Sequence, residues 1–553
     1  MGWLLLGGGA GVAEAAEWFV ATNGSDAAAG TNWATAKLTI QAGIDASAPG
    51  DTIWVSNGVY ATGGGRAVVG SRANRVALDQ AVTVRSVDGP ETTFIVGAGM
   101  RCAYVVNGAV LSGFTLTNGS TASGCDQETT VDHNGGGALC ADDGILTNCV
   151  LTGNWACHLG GGSSGGVLNN CTLIGNSTWD LGGGSSGGTL NHCSLINNNA
   201  ITGGGANGGT LNDCTLASNM TSYGGGASGS TLNRCLIQDN YGGSEGGGVF
   251  GGTLNRCVLS GNRSMKGGGA ARDAILDNCL LTANVSTEDA PGMRGGGGAH
   301  GCALNNCTVA SNTAVEGGGV LNCTIVNSIV WGNSASESTN WGGGTFTNSC
   351  TTPAPGGTGN VTNDPQFVDA AAGNYRLGTN SPCIDEGDDN YVQGTMDLAG
   401  DPRTAMVRVD MGAYEVQSLG GYVDWAAAIT NGLTNATDCA AGDSVPNLMK
   451  YAVGSPDPME PDDLARLGLM GGGAPALTFN RNPNATDIML LIQGADAASN
   501  GAAWRGVATN VGGSWLGATN VEESGSGNPV ECTVTDPVAL DSNRFLRLKV
   551  SRP

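Results

Sequence analysis

Between residues 137 and 344 the apolar and polar positions recur in short units rather than in long stretches. In Cys193-Ser194-Leu195 two apolar side chains flank a polar one, the period-2 pattern of a strand with one buried face. Leu190 faces the same interior, so Asn191 and His192 make the bend between two strands. The cysteine recurs as Cys149, Cys171, Cys193, Cys214, Cys235, Cys257, Cys279 and Cys307, with Ser328 in the next place. Five residues beyond each stands an asparagine: Asn154, Asn176, Asn198, Asn219, Asn240, Asn262, Asn284, Asn312 and Asn333. Another usually lies two before the cysteine, as Asn169, Asn191, Asn212, Asn233, Asn255 and Asn305, with Asp277 standing in this place before Cys279. Glycine clusters keep the same phase, ending at Gly137, Gly162, Gly184, Gly205, Gly226, Gly248, Gly269, Gly298, Gly319 and Gly344.

Two solenoids have a period of about 22 residues. The stretch from Leu168 to Asn176 fits a leucine-rich repeat with Cys171 in the middle slot. That fold must bury apolar residues in the second half of its unit. Here the second half, residues 177–188, holds little but Ser and Gly. Glycine also disfavours helix by about 1 kcal/mol per residue. A parallel β-helix fits: three short strands and three turns use about 21–22 residues per coil, and coils stack at ~4.8 Å. Small buried cysteines suit a narrow interior. Asparagines stacked at turns bond from coil to coil, and glycine corners let backbones approach. The steps from Gly137 to Gly344 predict a rod about 43 Å long.

Composition narrows the class further. Of 553 residues 96 are glycine, only 13% are charged and 5% aromatic. Low charge argues against disorder, and the lack of a three-residue glycine period excludes collagen. The formal net charge of −24 repels nucleic acid and anionic lipid. No window reaches the ~18 apolar residues of a membrane span. Residues 1–15, apolar from Trp3 to Val12 and ending Ala13-Glu14-Ala15, read as a secretory signal without its basic start.

Several segments resemble known families. Residues 18–26, Asn32 to Thr35, Thr39 to Asp45 and Pro49 to Val55 are similar to the opening of bacterial right-handed parallel β-helix proteins. That resemblance implies a short helix over Ile40-Gln41-Ala42-Gly43-Ile44 capping the first coil. The Leu-x-x-Asn and Gly-Gly-Gly repeats resemble those of polymorphic outer-membrane autotransporters. Residues 363–369, 374–377, 381–388 and 409–415 resemble the closing motifs of choice-of-anchor Q β-helix proteins. This family implies fold and an exported, surface-attached address; it supplies no catalytic residues.

The expected organisation is a signal at 1–15, a capping region with first coils at 16–100, the ladder β-helix at 101–350 and a closing segment at 351–417. A linker module with short helices follows at 418–475. Alternating residues at 476–553 read as a small β-sandwich-like module for attachment or sorting.

Candidate chemistry is sparse. Hydrolysis of a glycosidic bond needs two carboxylates on one face. The outward position after each ladder cysteine holds Thr172, Ser194, Thr215, Leu236, Val258, Leu280 and Thr308, with no carboxylate. The position before it carries one charged patch, Asp213 beside Arg234 and Arg256, a weak lyase candidate in which Arg acts as base. Four scattered histidines show no zinc spacing. The acid-rich closing segment offers Asp385, Asp388, Asp397 and Asp401 as calcium ligands, set against a merely solvated surface. Trp155, Trp179, Tyr223, Tyr241 and Trp341 fall between the Asn turn and the next glycine cluster, a rough strip suited to stacking on sugars. Off the ladder's phase, Cys350 with Cys383 and Cys140 with Cys157 are the expected disulfides. The sequence reading is an exported bacterial β-helix, a monomer, acting as a non-catalytic adhesin or glycan-binding display rod, with no cofactor beyond calcium. Its alternatives are a polysaccharide lyase or glycoside hydrolase, and a purely structural scaffold.

Overall fold

The computed structural model describes residues 15–121, 125, 131–287, 295–405 and 407–417, and eight strands between Ala465 and Ser551. The predicted signal and linker helices fall outside these residues. The chain divides into two compact units, Met1–Val416 and Gln417–Pro553.

The first unit is a right-handed parallel β-helix. Most ladder coils carry four short strands where three were expected; the coil from Ser185 carries three. In the coil before it the four are Ser163–Ser164, Val167–Asn169, Thr172–Ile174 and Ser177–Thr178. Gly165 and Gly166, both at positive φ, break the first face into two pieces. That face is a 24-stranded sheet with two strands per coil, and the second is a 13-stranded sheet. Short parallel ladders form the third. At ~4.8 Å per step, the 13 strands of the second sheet extend about 58 Å.

Register follows the sequence ladders. Leu168, Leu190 and Leu211 pair across the first sheet, and Leu173, Leu195 and Leu216 across the second, all fully buried. Between the columns lie the cysteines. The Cys193 thiol donates to the carbonyls of Asn191 and Leu168, each at 3.4 Å. At the second bend the asparagines are buried and chained. Asn198 Oδ1 accepts from the backbone N of Asn176 at 3.0 Å and from its Nδ2 at 3.1 Å. Asn176 Nδ2 also donates to the Leu151 carbonyl at 2.8 Å. The glycine corner fits beside this chain: a Cβ on Gly162 would stand 2.5 Å from the Gly184 carbonyl oxygen.

One end is capped by the helix Ile40–Ala46, with Thr39 as its N-cap. Ile40 and Ile44 join Val20, Ile53 and Val55 in the core. Beyond the last coil strand, Cys350–Thr351, the chain folds back along the rod. Tyr375 packs with Leu280 and Ala310, and Leu377, Cys383 and Met411 with Ile329 and Cys350.

Cysteine pairing differs from expectation. Cys157 is bonded to Cys125, and Cys140 is a free buried thiol. Cys140 sits in the first-sheet strand Ala138–Cys140, a different face from Cys157, so the two cannot meet. Cys350 and Cys383 do meet, as hydrogen-bonded thiols rather than a disulfide. The second unit contains two four-stranded antiparallel sheets; one is built around Pro475–Arg481 and Val530–Thr535, the other around Met489–Ala495 and Phe545–Ser551.

Candidate functional site

The bend between the first and second sheets needs one left-handed residue per coil. Asn170, His192, Asp213, Arg234, Arg256 and Asn278 fill it in succession, with φ between 51° and 55°. This bend aims side chains outward at coil spacing, so Asp213, Arg234 and Arg256 form a row. Arg234 closes a bidentate pair on Asp213, Nε to Oδ1 at 2.8 Å and Nη2 to Oδ2 at 2.6 Å. The Arg234 hydrogen bonds hold the Asp213 carboxyl below the ordinary range.

The closing segment turns this row into a cleft of about 470 Å³. Arg234, Leu236, Arg256 and Val258 form the rod wall; Arg376, Leu398 and Tyr414 form the opposite wall. The Arg376 guanidinium lies 5.0 Å from the Tyr414 ring centroid, a cation–π contact. Its Nη1 also stands 3.8 Å from Asp401. Arg256 Nε is buried with no hydrogen-bond partner. Three guanidiniums therefore border one opening, and Arg256 has donor capacity unspent. Burial raises the Tyr414 hydroxyl above its ordinary range, keeping it protonated.

The other expected sites fare differently. The five aromatics do not form one strip. Trp155 and Tyr241 share a third-face column, four coils apart. Trp179 is 64% exposed, and Tyr223 stacks edge-on against Phe250 at 5.6 Å. Trp341 belongs to the first sheet, where it packs at 5.3 Å on Phe346 and donates to the Pro353 carbonyl. Trp155, Trp179, Tyr223 and Tyr241 lie on or beside third-face strands at different offsets, and Trp341 falls on another face.

The four candidate calcium ligands each have partners of their own. Asp385 Oδ1 accepts from the backbone N of Val407 and Arg408, and Asp388 Oδ1 from Asn390. Asp397 accepts from Gly400, Asp401 and Glu415, and Asp401 faces Arg376. These carboxylates staple turns to one another instead of converging. Among the described residues no group of three His, Cys, Asp or Glu is placed to hold a metal ion.

Arg376, Leu398 and Tyr414 were missed as site residues. A signal for them existed: the outward column changes from Thr172, Ser194 and Thr215 to Leu236, Val258 and Leu280 where the closing segment lands.

The rod and its cleft were compared with known proteins. No protein-family model and no curated protein matches the chain. Solved structures do resemble it. Pectate lyase Pel9A shares 15% identity over 73% of this chain and 97% of its own, with a TM-score of 0.34. The PL6 family alginate lyase AlyGC shares 11% over 71% and 60%, at 0.31. The Dettilon tailspike protein shares 10% over 91% and 88%, at 0.25. The likeness is one of coil architecture. Among the described residues no helix is long and apolar enough to cross a membrane.

Proposed function

We propose that this is an exported β-helix protein that recognises an anionic polysaccharide in the cleft between the bend row and the closing segment. The observation that carries the reading is the set of Arg234, Arg256 and Arg376 around one opening in a chain of net charge −24. A protein this acidic concentrates cations in one place where an anion is held. Guanidinium forks match carboxylate geometry, and Leu398 and Tyr414 offer an apolar wall to a sugar ring. Arg256 and Arg376 are the principal hooks, because both forks of Asp213 already occupy Arg234. The signal-like start supports export, and the solenoid would present the cleft at a surface.

Elimination on the same bound chain is a second reading, favoured by the unpartnered Arg256 Nε. A cation there would stabilise the charge that develops at a uronate carboxylate as a second, deprotonated arginine of the cleft takes the neighbouring C–H proton and the glycosidic oxygen leaves with the C–O bonding pair, to be protonated by water. Hydrolysis by a carboxylate pair is disfavoured, since the one carboxylate of the bend row, Asp213, is engaged by Arg234.

Retention of the full chain on immobilised polygalacturonate, alginate and neutral dextran tests the proposal. We expect retention on an acidic polymer and none on dextran, with at least a ten-fold loss in an Arg256→Ala, Arg376→Ala double variant. Equal retention on dextran, or an unaffected double variant, overturns it. Appearance of unsaturated uronate absorbance in the same incubations decides for elimination over binding alone.

A further inference from the structure

The outward asparagine column has a direction. Asn191 Nδ2 donates to Asn169 Oδ1, Asn212 to Asn191 and Asn233 to Asn212, each at 2.9 Å. The next coils break it. Asn255, Asp277 and Asn305 stand opposite one another in register. Asp277 has no amide N–H to pass on, and Asn255 Oδ1 is buried without a donor. Asn305 spends Nδ2 on the Tyr391 carbonyl at 2.6 Å and makes only a 3.4 Å contact to Asp277. Its own Oδ1 is also buried without a donor. Two of these three coils thus hold a buried acceptor with no donor, Asn255 Oδ1 and Asn305 Oδ1, and Asp277 receives only the long hydrogen bond from Asn305. Among the described residues no ion pair involves Asp277, and burial pushes its carboxyl above the ordinary range.

Asp277 and Asn305 line a cavity of about 300 Å³ on the first sheet. Tyr391 and Gln393 of the closing segment wall its far side, and Ile275, Ala303 and Val326 give it an apolar surface. We infer that this cavity binds an amino sugar, its ammonium group seated on Asp277. An ammonium carries three donors and no acceptor, the complement of the Asp277 carboxylate and its unpaired charge at the cavity wall. A bare metal ion would leave most of the cavity empty, whereas a pyranose body fits against the apolar surface. The site is independent of the arginine cleft and selects the opposite charge.

Calorimetric titration of the full chain with D-glucosamine, glucose, free lysine and calcium tests this. The Asp277→Asn variant is the control, since an asparagine there restores the column's donor and should fold. We expect glucosamine to saturate one site, glucose to bind at least ten-fold more weakly, and Asp277→Asn to weaken glucosamine at least ten-fold. No saturable glucosamine binding, glucose as tight as glucosamine, or an unaffected variant overturns the inference. An Asp277-dependent calcium site, or lysine as tight as glucosamine, overturns the amino-sugar assignment equally. Arg256→Ala should leave glucosamine binding unchanged, which separates this site from the proposed cleft.

Discussion

At the scale of single residues the buried amides dominate. Asn219 Oδ1 accepts from the Asn198 backbone N, and its Nδ2 donates to the Leu195 carbonyl, both at 2.9 Å. Replacing Asn219 by Leu, similar in size, strands both buried groups. Each costs about 1–3 kcal/mol, so Asn219→Leu should destabilise by about 2–6 kcal/mol in a denaturant titration. Asp277→Asn should do the reverse. It supplies the donor that Asn255 Oδ1 lacks, and a gain of about 1 kcal/mol in the same titration is expected. The Asp277 break was legible in the sequence as an interruption between Asn255 and Asn305 of the asparagine ladder. Its meaning was not, because the orphaned oxygen belongs to a residue 22 positions earlier on the neighbouring coil.

At the scale of elements the closing segment is the part whose stability depends on pH. Arg403 is buried with Asp397, Asp410 and Glu415 around it. Burial, and then the Asp410 charge, raise the Glu415 carboxyl to about 8; burial raises Asp410 to about 6. Both groups bind a proton more tightly folded than unfolded. Their contribution is complete below the unfolded values of 4.5 and 3.8 and is lost as pH rises toward 6 for Asp410 and 8 for Glu415. Amide exchange in residues 374–416 should therefore speed up more between pH 5 and pH 8 than base catalysis alone explains. Glu415→Gln should remove most of that excess. An excess unchanged by the variant would place the titration elsewhere. The same segment supplies Arg376 and Tyr414 to the cleft, so glycan retention and clasp closure should weaken together over this range.

At the scale of the whole molecule a solenoid has ends that must be closed. Ile44 on the capping helix is fully buried against Val20 and Ile53. Ile44→Lys places a charge in that contact and lifts the cap from the first coil, exposing strand edges that template association. Light scattering should show oligomers in the variant at concentrations where the parent chain is monodisperse. A monodisperse variant would mean that the end coil protects itself. The cysteine column ties coils by hydrogen bonds and not by disulfides: the Cys193 thiol donates to the Leu168 carbonyl of the preceding coil, and the Cys214 sulfur accepts from the Cys193 backbone N.

The sequence determined the rod. The parallel coil, its period, the inward Leu and Cys columns, the asparagine turn and the glycine corner each repeat within a single unit, so each copy restates the same local rule. Even there, the fourth strand of most coils was hidden, because two-residue strands such as Ser163–Ser164 carry no alternation to detect. Tertiary structure alone decided where chemistry can occur. Asp213, Arg234 and Arg256 were visible as a charged row, but a row on a convex edge makes no cleft. The cleft exists because Arg376 and Tyr414, more than 100 residues further along, fold back onto it. The pocket at Asp277 arises in the same way, from Tyr391 and Gln393. Periodicity reports contacts between neighbouring coils. A fold-back contact occurs once and leaves no period, only the change from Thr and Ser to Leu236, Val258 and Leu280 where it lands.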